Sequence, residues 1–186
     1  MDTRLPPPCS RRLRAAAAAL LASAALGAQA HGPTPQKIDE QIEVAAPPAA
    51  VWALVGDFTR FAAWNPVLAS SSADRGNTAG SKRTLTLARG GVLTEELDEH
   101  QDGEMSMSYR SGRDIDPAVL AVGSYSARLR VLPAGSGSRI EWRARAYRAD
   151  TGNEPAEGRD DASAVAALQE LMRPALAAAR ERLQTR

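Results

Sequence analysis

The stretch VAAPPAAVWALVGDFTRFAAWNPVL, Val44 to Leu68, decides how the rest of this chain is read. Just before it, Ile38 to Val44 alternates apolar and polar residues, the period of a half-buried strand. Pro47 and Pro48 suit the first turn of a helix, where a missing N–H forfeits no intrahelical bond. Ala49 to Val55 is that helix, with Val51, Leu54 and Val55 on one side and Trp52 beside them. Gly56 ends it and Asp57 is placed to cap the next turn. Pro66 stops a second short helix after Trp64-Asn65. One strand is followed by two short helices, and strands follow those.

Between Leu68 and Ala149 the period is two. Leu85 and Leu87 alternate with Thr84, Thr86 and Ala88, and Gly90-Gly91 suits a two-residue hairpin turn. Leu93, Glu95 and Leu97 share one face, opposite Thr94, Glu96 and Asp98. Met105, Met107 and Tyr109 alternate with Ser106 and Ser108. Tyr125, Ala127, Leu129 and Val131 alternate with Ser126, Arg128 and Arg130. A Gly/Ser turn at Ala134 to Ser138 leads to Ile140, Trp142, Ala144 and Ala146, which alternate with Glu141, Arg143 and Arg145. One apolar and one charged face per strand predicts an antiparallel sheet covered on one side. The cover is the C-terminal segment. Asp160 or Asp161 caps a helix whose apolar positions Val165, Leu168, Met172, Leu176, Ala179 and Leu183 step by three and four. Pro174 should kink or break it. The fold class is α+β, with about six to seven strands.

The first thirty residues lie outside that pattern. Arg11, Arg12 and Arg14 form a basic region, Ala15 to Gly27 an apolar core too short to span a bilayer, and Ala28-Gln29-Ala30 a cleavage site. An export signal over residues 1–30, cut after Ala30, places the protein in a bacterial periplasm. Residues 31–36 are a Pro-rich, loose N-terminus, and 37–186 are the folded domain. Thr151 to Arg159, polar with Gly and Pro, also reads as loose. Removing the leader takes four basic and one acidic side chain from totals of 23 and 22, leaving a formal net charge of −2. That balance gives no footprint for nucleic acid or an anionic membrane. No membrane segment remains after cleavage, and a monomer is expected. The only cysteine, Cys9, sits in the leader, so the mature chain has no disulfide.

Several stretches together resemble one superfamily. They are Val51-Trp52-Ala53-Leu54-Val55-Gly56-Asp57-Phe58, Trp64-Asn65-Pro66-Val67, Thr94-Glu95-Glu96-Leu97-Asp98, Tyr109 and Gly123-Ser124-Tyr125-Ser126-Ala127. With the element order, they make the chain similar to START-like (SRPBCC, Bet v 1-like) proteins over nearly all of its mature length. The nearest resemblance is to the MxaD-like periplasmic branch, grouped with polyketide cyclase/dehydratase-like proteins. The resemblance implies a helix-grip fold, a curved antiparallel sheet around a long C-terminal helix, usually with a cavity between them.

Glu95 is the one residue that breaks the apolar face, and the resemblance puts a ligand-lining acid at its position. A carboxylate in an apolar cavity should be hydrated, paired or driven toward its neutral form. Asn65 stands where relatives carry a polar ligand contact, or it merely starts the turn before Pro66. Tyr109 and Tyr125 match pocket aromatics, or pack the core; Trp142 is similar, and Met105 and Met107 give an adaptable wall. An alanine-rich helix should leave a pocket of a few hundred cubic ångströms. The candidate ligand-binding residues are Asn65, Leu85, Leu87, Glu95, Met107, Tyr109, Tyr125, Trp142, Leu168 and Met172. Arg110 to Val122 is longer than a hairpin needs, and its Ile115, Val119, Leu120 and Val122 suggest a lid, a docking surface or a plug over the core's end.

Sharper chemistries fail. His31 and His100 have no partner at ligand spacing, so no metal site is expected. GNTAGSK, Gly76 to Lys82, leads into a strand and lacks a phosphate loop's order. The reading is a cofactor-free, non-catalytic binding or carrier protein for a small hydrophobic or amphipathic ligand. The resemblance implies two alternatives. One is an accessory to a periplasmic quinoprotein dehydrogenase and its cytochrome; the other is a cyclase- or dehydratase-like enzyme with Glu95 as general acid/base.

Overall fold

The computed structural model describes residues 33–184; the expected leader, residues 1–30, lies outside them. The chain runs β1 (Gln36–Val44), α1 (Pro48–Val55), a 3-10 helix (Phe58–Ala63), β2 (Leu68–Ala73), β3 (Lys82–Leu87), β4 (Val92–Gln101), β5 (Ser106–Ser111), β6 (Val122–Ala134), β7 (Gly137–Arg148) and α2 (Asp161–Gln184). The seven strands form one antiparallel sheet in the order β1-β7-β6-β5-β4-β3-β2. α2 lies along one face of it, the helix-grip arrangement. No helix among the described residues is long and apolar enough to cross a membrane.

The segment Val44–Leu68 folds as its residues dictate. Pro47 and Pro48 open α1 without a side-chain cap, and the Gly56 N–H closes it on the Trp52 carbonyl at 2.7 Å. A side chain at Gly56 would collide with the Trp52 ring. Asp57 caps the 3-10 helix by accepting from the Thr59 N–H at 2.9 Å. That helix delivers Phe58 and Phe61 to the interior, and Trp64 follows them there. Its own outer side is tied to the edge strand, where Ser71 Oγ accepts from the Ala62 N–H and donates to the Thr59 carbonyl.

The sheet's inward faces follow the alternation, with adjustments at its ends. The turn between β3 and β4 takes in Ala88 and Arg89 as well as Gly90 and Gly91, so it is longer than two residues; both glycines have positive φ. Gly135-Ser136 does make a two-residue turn, with Ala134 opposite Gly137. Met105 stands outside β5 in a left-handed conformation, so it is not on that strand's alternation. A bulge between Leu97 and Glu99 turns His100 inward. There it bonds the Gly56 carbonyl at 2.7 Å, while the Trp52 Nε1–H donates to Asp102.

α2 buries Leu168, Met172 and Leu176 with five other residues, Leu171 among them. It stays one helix through Pro174. That residue has no N–H, so the Glu170 carbonyl lacks its usual i+4 donor. Asp160 is the cap, accepting from the Ser163 N–H at 2.8 Å.

The connection Thr151–Arg159 is tied down, contrary to its loose composition. Asp150 accepts from the N–H groups of Gly152 and Ala156, and Arg148 donates to the carbonyls of Asp150 and Gly152. The Ala156 N–H, then that of Gly152, holds the Asp150 carboxyl below its ordinary value of 3.8; Ser163 does the same for Asp160. Lowered folded values mean that this stabilisation is complete above the ordinary carboxylate range and is lost as pH falls through it. Protection factors of the amides of residues 150–163, corrected for the slower intrinsic exchange in acid, should therefore fall when pH drops from about 5 to about 2, ahead of those of the sheet. Hydrogen exchange read by mass spectrometry checks this, and protection that stays constant would assign the loop's order to other contacts.

Candidate functional site

The register of β3 and β4 places Arg83 directly across from Glu95 on the concave face. Both are buried, at 2% and 1% exposure. The Arg83 Nε–H donates to Glu95 Oε2 at 2.8 Å, and Nη2 donates to the same oxygen. The Tyr125 hydroxyl donates to Oε1 at 2.6 Å. Arg83 Nη1 reaches the Phe58 carbonyl at 3.0 Å. The guanidinium carbon lies 4.1 Å from the Phe58 ring centre, 4.6 Å from that of Phe61 and 5.0 Å from that of Tyr109. Charge, hydrogen bonds and aromatic faces thus surround one cation.

Glu95 is therefore inside, as its alternation predicts, and it is paired. The other two fates expected of it, hydration and neutralisation, rested on a carboxylate without a partner. Next to it, Trp142 Nε1 donates to the Tyr109 hydroxyl at 2.9 Å. Burial, then the Glu95 charge, pushes both Tyr109 and Tyr125 far above the ordinary phenol range. The Tyr125 hydroxyl donates to Glu95, and the Tyr109 hydroxyl accepts from Trp142.

The expected concave-face pocket does not form around these residues. Leu85, Glu95, Met107, Tyr109, Tyr125, Trp142, Leu168 and Met172 are all buried in contact with a common core. Phe58, Phe61 and Trp64 are buried in that same core beside the alanines of α2. Trp64 and Phe61 meet at a tilt of 54° with 4.9 Å between ring centres, and they pack against Trp142 at 5.7 and 5.5 Å respectively. Asn65 is buried with both ends of its amide engaged: Oδ1 accepts from the Val67 N–H and Nδ2 donates to the Leu171 carbonyl. It holds the turn before Pro66 and ties that turn to α2.

Of the ten candidate residues, Leu87 alone borders a groove at the end of the sheet. This opening of about 210 Å³ has a floor of Val67, Leu87, Leu120, Ala167 and Leu171, with Arg89 and Glu170 at its rim. A second opening of about 300 Å³ shares Arg89, Ala167 and Glu170, and runs on along Pro117–Val119 and Ala121. The segment Arg110 to Val122, read as a lid or rim, a docking surface or a plug over the core's end, borders both openings and packs its end into the core. Leu120 and Val122 are buried, and the Val119 carbonyl accepts from Arg89 at 2.7 Å. The Val119 methyls fill the space where a side chain at Gly91 would stand.

Sequence reasoning missed Arg83, Val67, Leu171 and the glycine contact, and named Leu120 only as part of the Arg110 to Val122 segment. Arg83 was within reach of it: counting back two from Leu85 puts it on the apolar face. The groove residues come from four separate segments, and no local pattern joins them.

No curated protein matches the sequence. Among solved structures, XoxI from Bacillus cereus is 22% identical, with a TM-score of 0.66 over 80% of this chain and 95% of its own. A protein from Thermobifida fusca is 23% identical, with a TM-score of 0.61 over 80% and 93%. Ara h 8.0201 is 15% identical, with a TM-score of 0.63 over 82% and 100%. These likenesses establish the Bet v 1-like fold. A family model described as polyketide cyclase / dehydrase and lipid transport matches residues 35–184, from the first strand to the end of α2. With the whole folded region covered, this chain belongs to the polyketide cyclase/dehydrase and lipid transport family of the START-like superfamily.

Proposed function

We propose that the protein is a periplasmic, non-catalytic binding or carrier protein for a small hydrophobic or amphipathic molecule, held in the groove between the sheet's end and α2. One observation carries this reading: an apolar floor (Val67, Leu87, Leu120, Ala167, Leu171) opens to solvent between two charged rim residues, Arg89 and Glu170. That is the layout an amphipathic ligand needs, a dry surface for its body and polar partners for its head. The family's description includes lipid transport, which supports the same reading. The enzyme alternative finds no support in the interior. Both Glu95 oxygens accept hydrogen bonds from the protein, and none faces an open cavity. A general base must reach a substrate proton.

The test is binding of an anilinonaphthalene sulfonate probe followed by fluorescence. Glu170 is exposed on α2, so Glu170→Trp places an indole over the groove without disturbing the core. Binding should weaken by about tenfold, or roughly 1.4 kcal/mol, with the melting temperature unchanged. Equal binding by both proteins would remove the groove from consideration.

A further inference from the structure

The outer face of the sheet carries a charge arrangement that the groove does not use. β1 and β7 pair Lys37 directly with Arg145, and β7 and β6 pair Arg143 directly with Arg128, one row along. Like charges directly opposite one another destabilise a sheet. Part of that repulsion is offset. Arg143 meets Asp39 at 3.2 Å and Glu141 at 3.6 Å, and Arg128 meets Glu104 at 4.0 Å. Lys37 and Arg145 are exposed, and neither side chain has a hydrogen bond or ion pair among the described residues. A cleft of about 400 Å³ opens beside them, lined by Lys37, Asp39, Arg143, Ala144 and Arg145. A mature chain with net charge −2 therefore concentrates uncompensated positive charge in one corner of one face.

We infer that this corner docks an acidic segment of a protein partner, whose carboxylates sit between Lys37 and Arg145 and beside Arg128. The pattern favours a protein over a bilayer or nucleic acid. Asp39 and Glu141 interrupt the cations in neighbouring rows, so evenly spaced phosphates would meet a carboxylate within one pleat. A protein surface can set acids against Lys37 and Arg145 and donors against Asp39. Few free cations imply modest affinity that declines with added salt. This site is independent of the ligand groove.

The test uses the purified protein, nitrogen-15 labelled, with a synthetic ten-residue peptide alternating Glu and Ser, and its Gln-for-Glu counterpart. The acidic peptide should shift the amides of Lys37, Ser126, Arg128, Arg143 and Arg145, and the neutral one should not. Lys37→Glu/Arg145→Glu should weaken binding at least about tenfold. Arg180→Glu/Arg182→Glu changes net charge equally at exposed α2 positions and should leave binding within about twofold. Three results overturn the proposal: no shifts at these amides, equal losses in both variants, or binding of phosphatidylglycerol vesicles or duplex DNA through the same residues at equal or higher affinity.

Discussion

Arg83→Met should destabilise the protein by about 3–5 kcal/mol, among the largest effects expected of a single substitution in this fold. Methionine preserves much of the stem's volume, so the loss is not mainly a cavity. It leaves the Glu95 carboxylate buried with only the Tyr125 hydroxyl to face it. Glu95→Gln should cost a similar amount from the other side, because the guanidinium then keeps the Phe58 carbonyl and three aromatic faces but no counter-charge. The double change Arg83→Met/Glu95→Leu removes both charges and should recover most of either loss. Urea unfolding of the unsubstituted protein, Arg83→Met, Glu95→Leu and Arg83→Met/Glu95→Leu closes the cycle. Single losses below about 1 kcal/mol would mean that water reaches the pair. The same cycle separates two roles for Glu95: a ligand-lining carboxylate could be neutralised with the fold intact, whereas this network makes it a structural partner.

The second large effect is expected at Leu168→Ala, about 2–5 kcal/mol. Leu168 is 1% exposed on the face of α2 that meets the sheet, among Ala164, Met172 and Ala175. Ala164, Ala167 and Ala175 on the same helix are too small to lean in and close the hole. Denaturant midpoints measure the change. A loss under roughly 0.5 kcal/mol, typical of a surface position, would show that the helix does not close the grip.

Much of this architecture is legible in the residues. Period-two alternation locates the strands that carry strong apolar positions, and the three-and-four spacing of Leu168, Met172 and Leu176 identifies the covering face of α2. β2 is harder, because Leu68–Ala73 reads LASSSA and holds no β-branched or aromatic residue. It pairs because β3 offers a ladder and the 3-10 helix bonds Ser71. The interior is less legible for one reason. Alternation and helical spacing describe the two walls, sheet and helix, while Phe58, Phe61 and Trp64 arrive from a third element. No periodicity in the walls reports what is inserted between them. Glu95's partner was a question of cross-strand register, which alternation alone does not fix. Asn65 was balanced between a turn and a ligand contact, and the helix carbonyl that decides it lies 106 positions away.

The position of β1 bears on how the chain is completed in time. Its only strand partner is β7, with Gln36 across from Ala146, so the first strand waits for one roughly a hundred residues downstream. The β3–β4 hairpin, with Arg83 and Glu95 twelve positions apart, needs no such wait. A chain synthesised N-terminus first exposes β1 earliest and pairs it last. Throughout that interval its Ile38, Ile42 and Val44 are an uncovered strand, interrupted by Lys37, Asp39, Glu40 and Glu43. Lys37, Asp39 and Glu43, which face solvent in the finished sheet, and Glu40, which α2 engages through Gln169 and Arg173, are what keep a solitary early strand from finding the wrong partner.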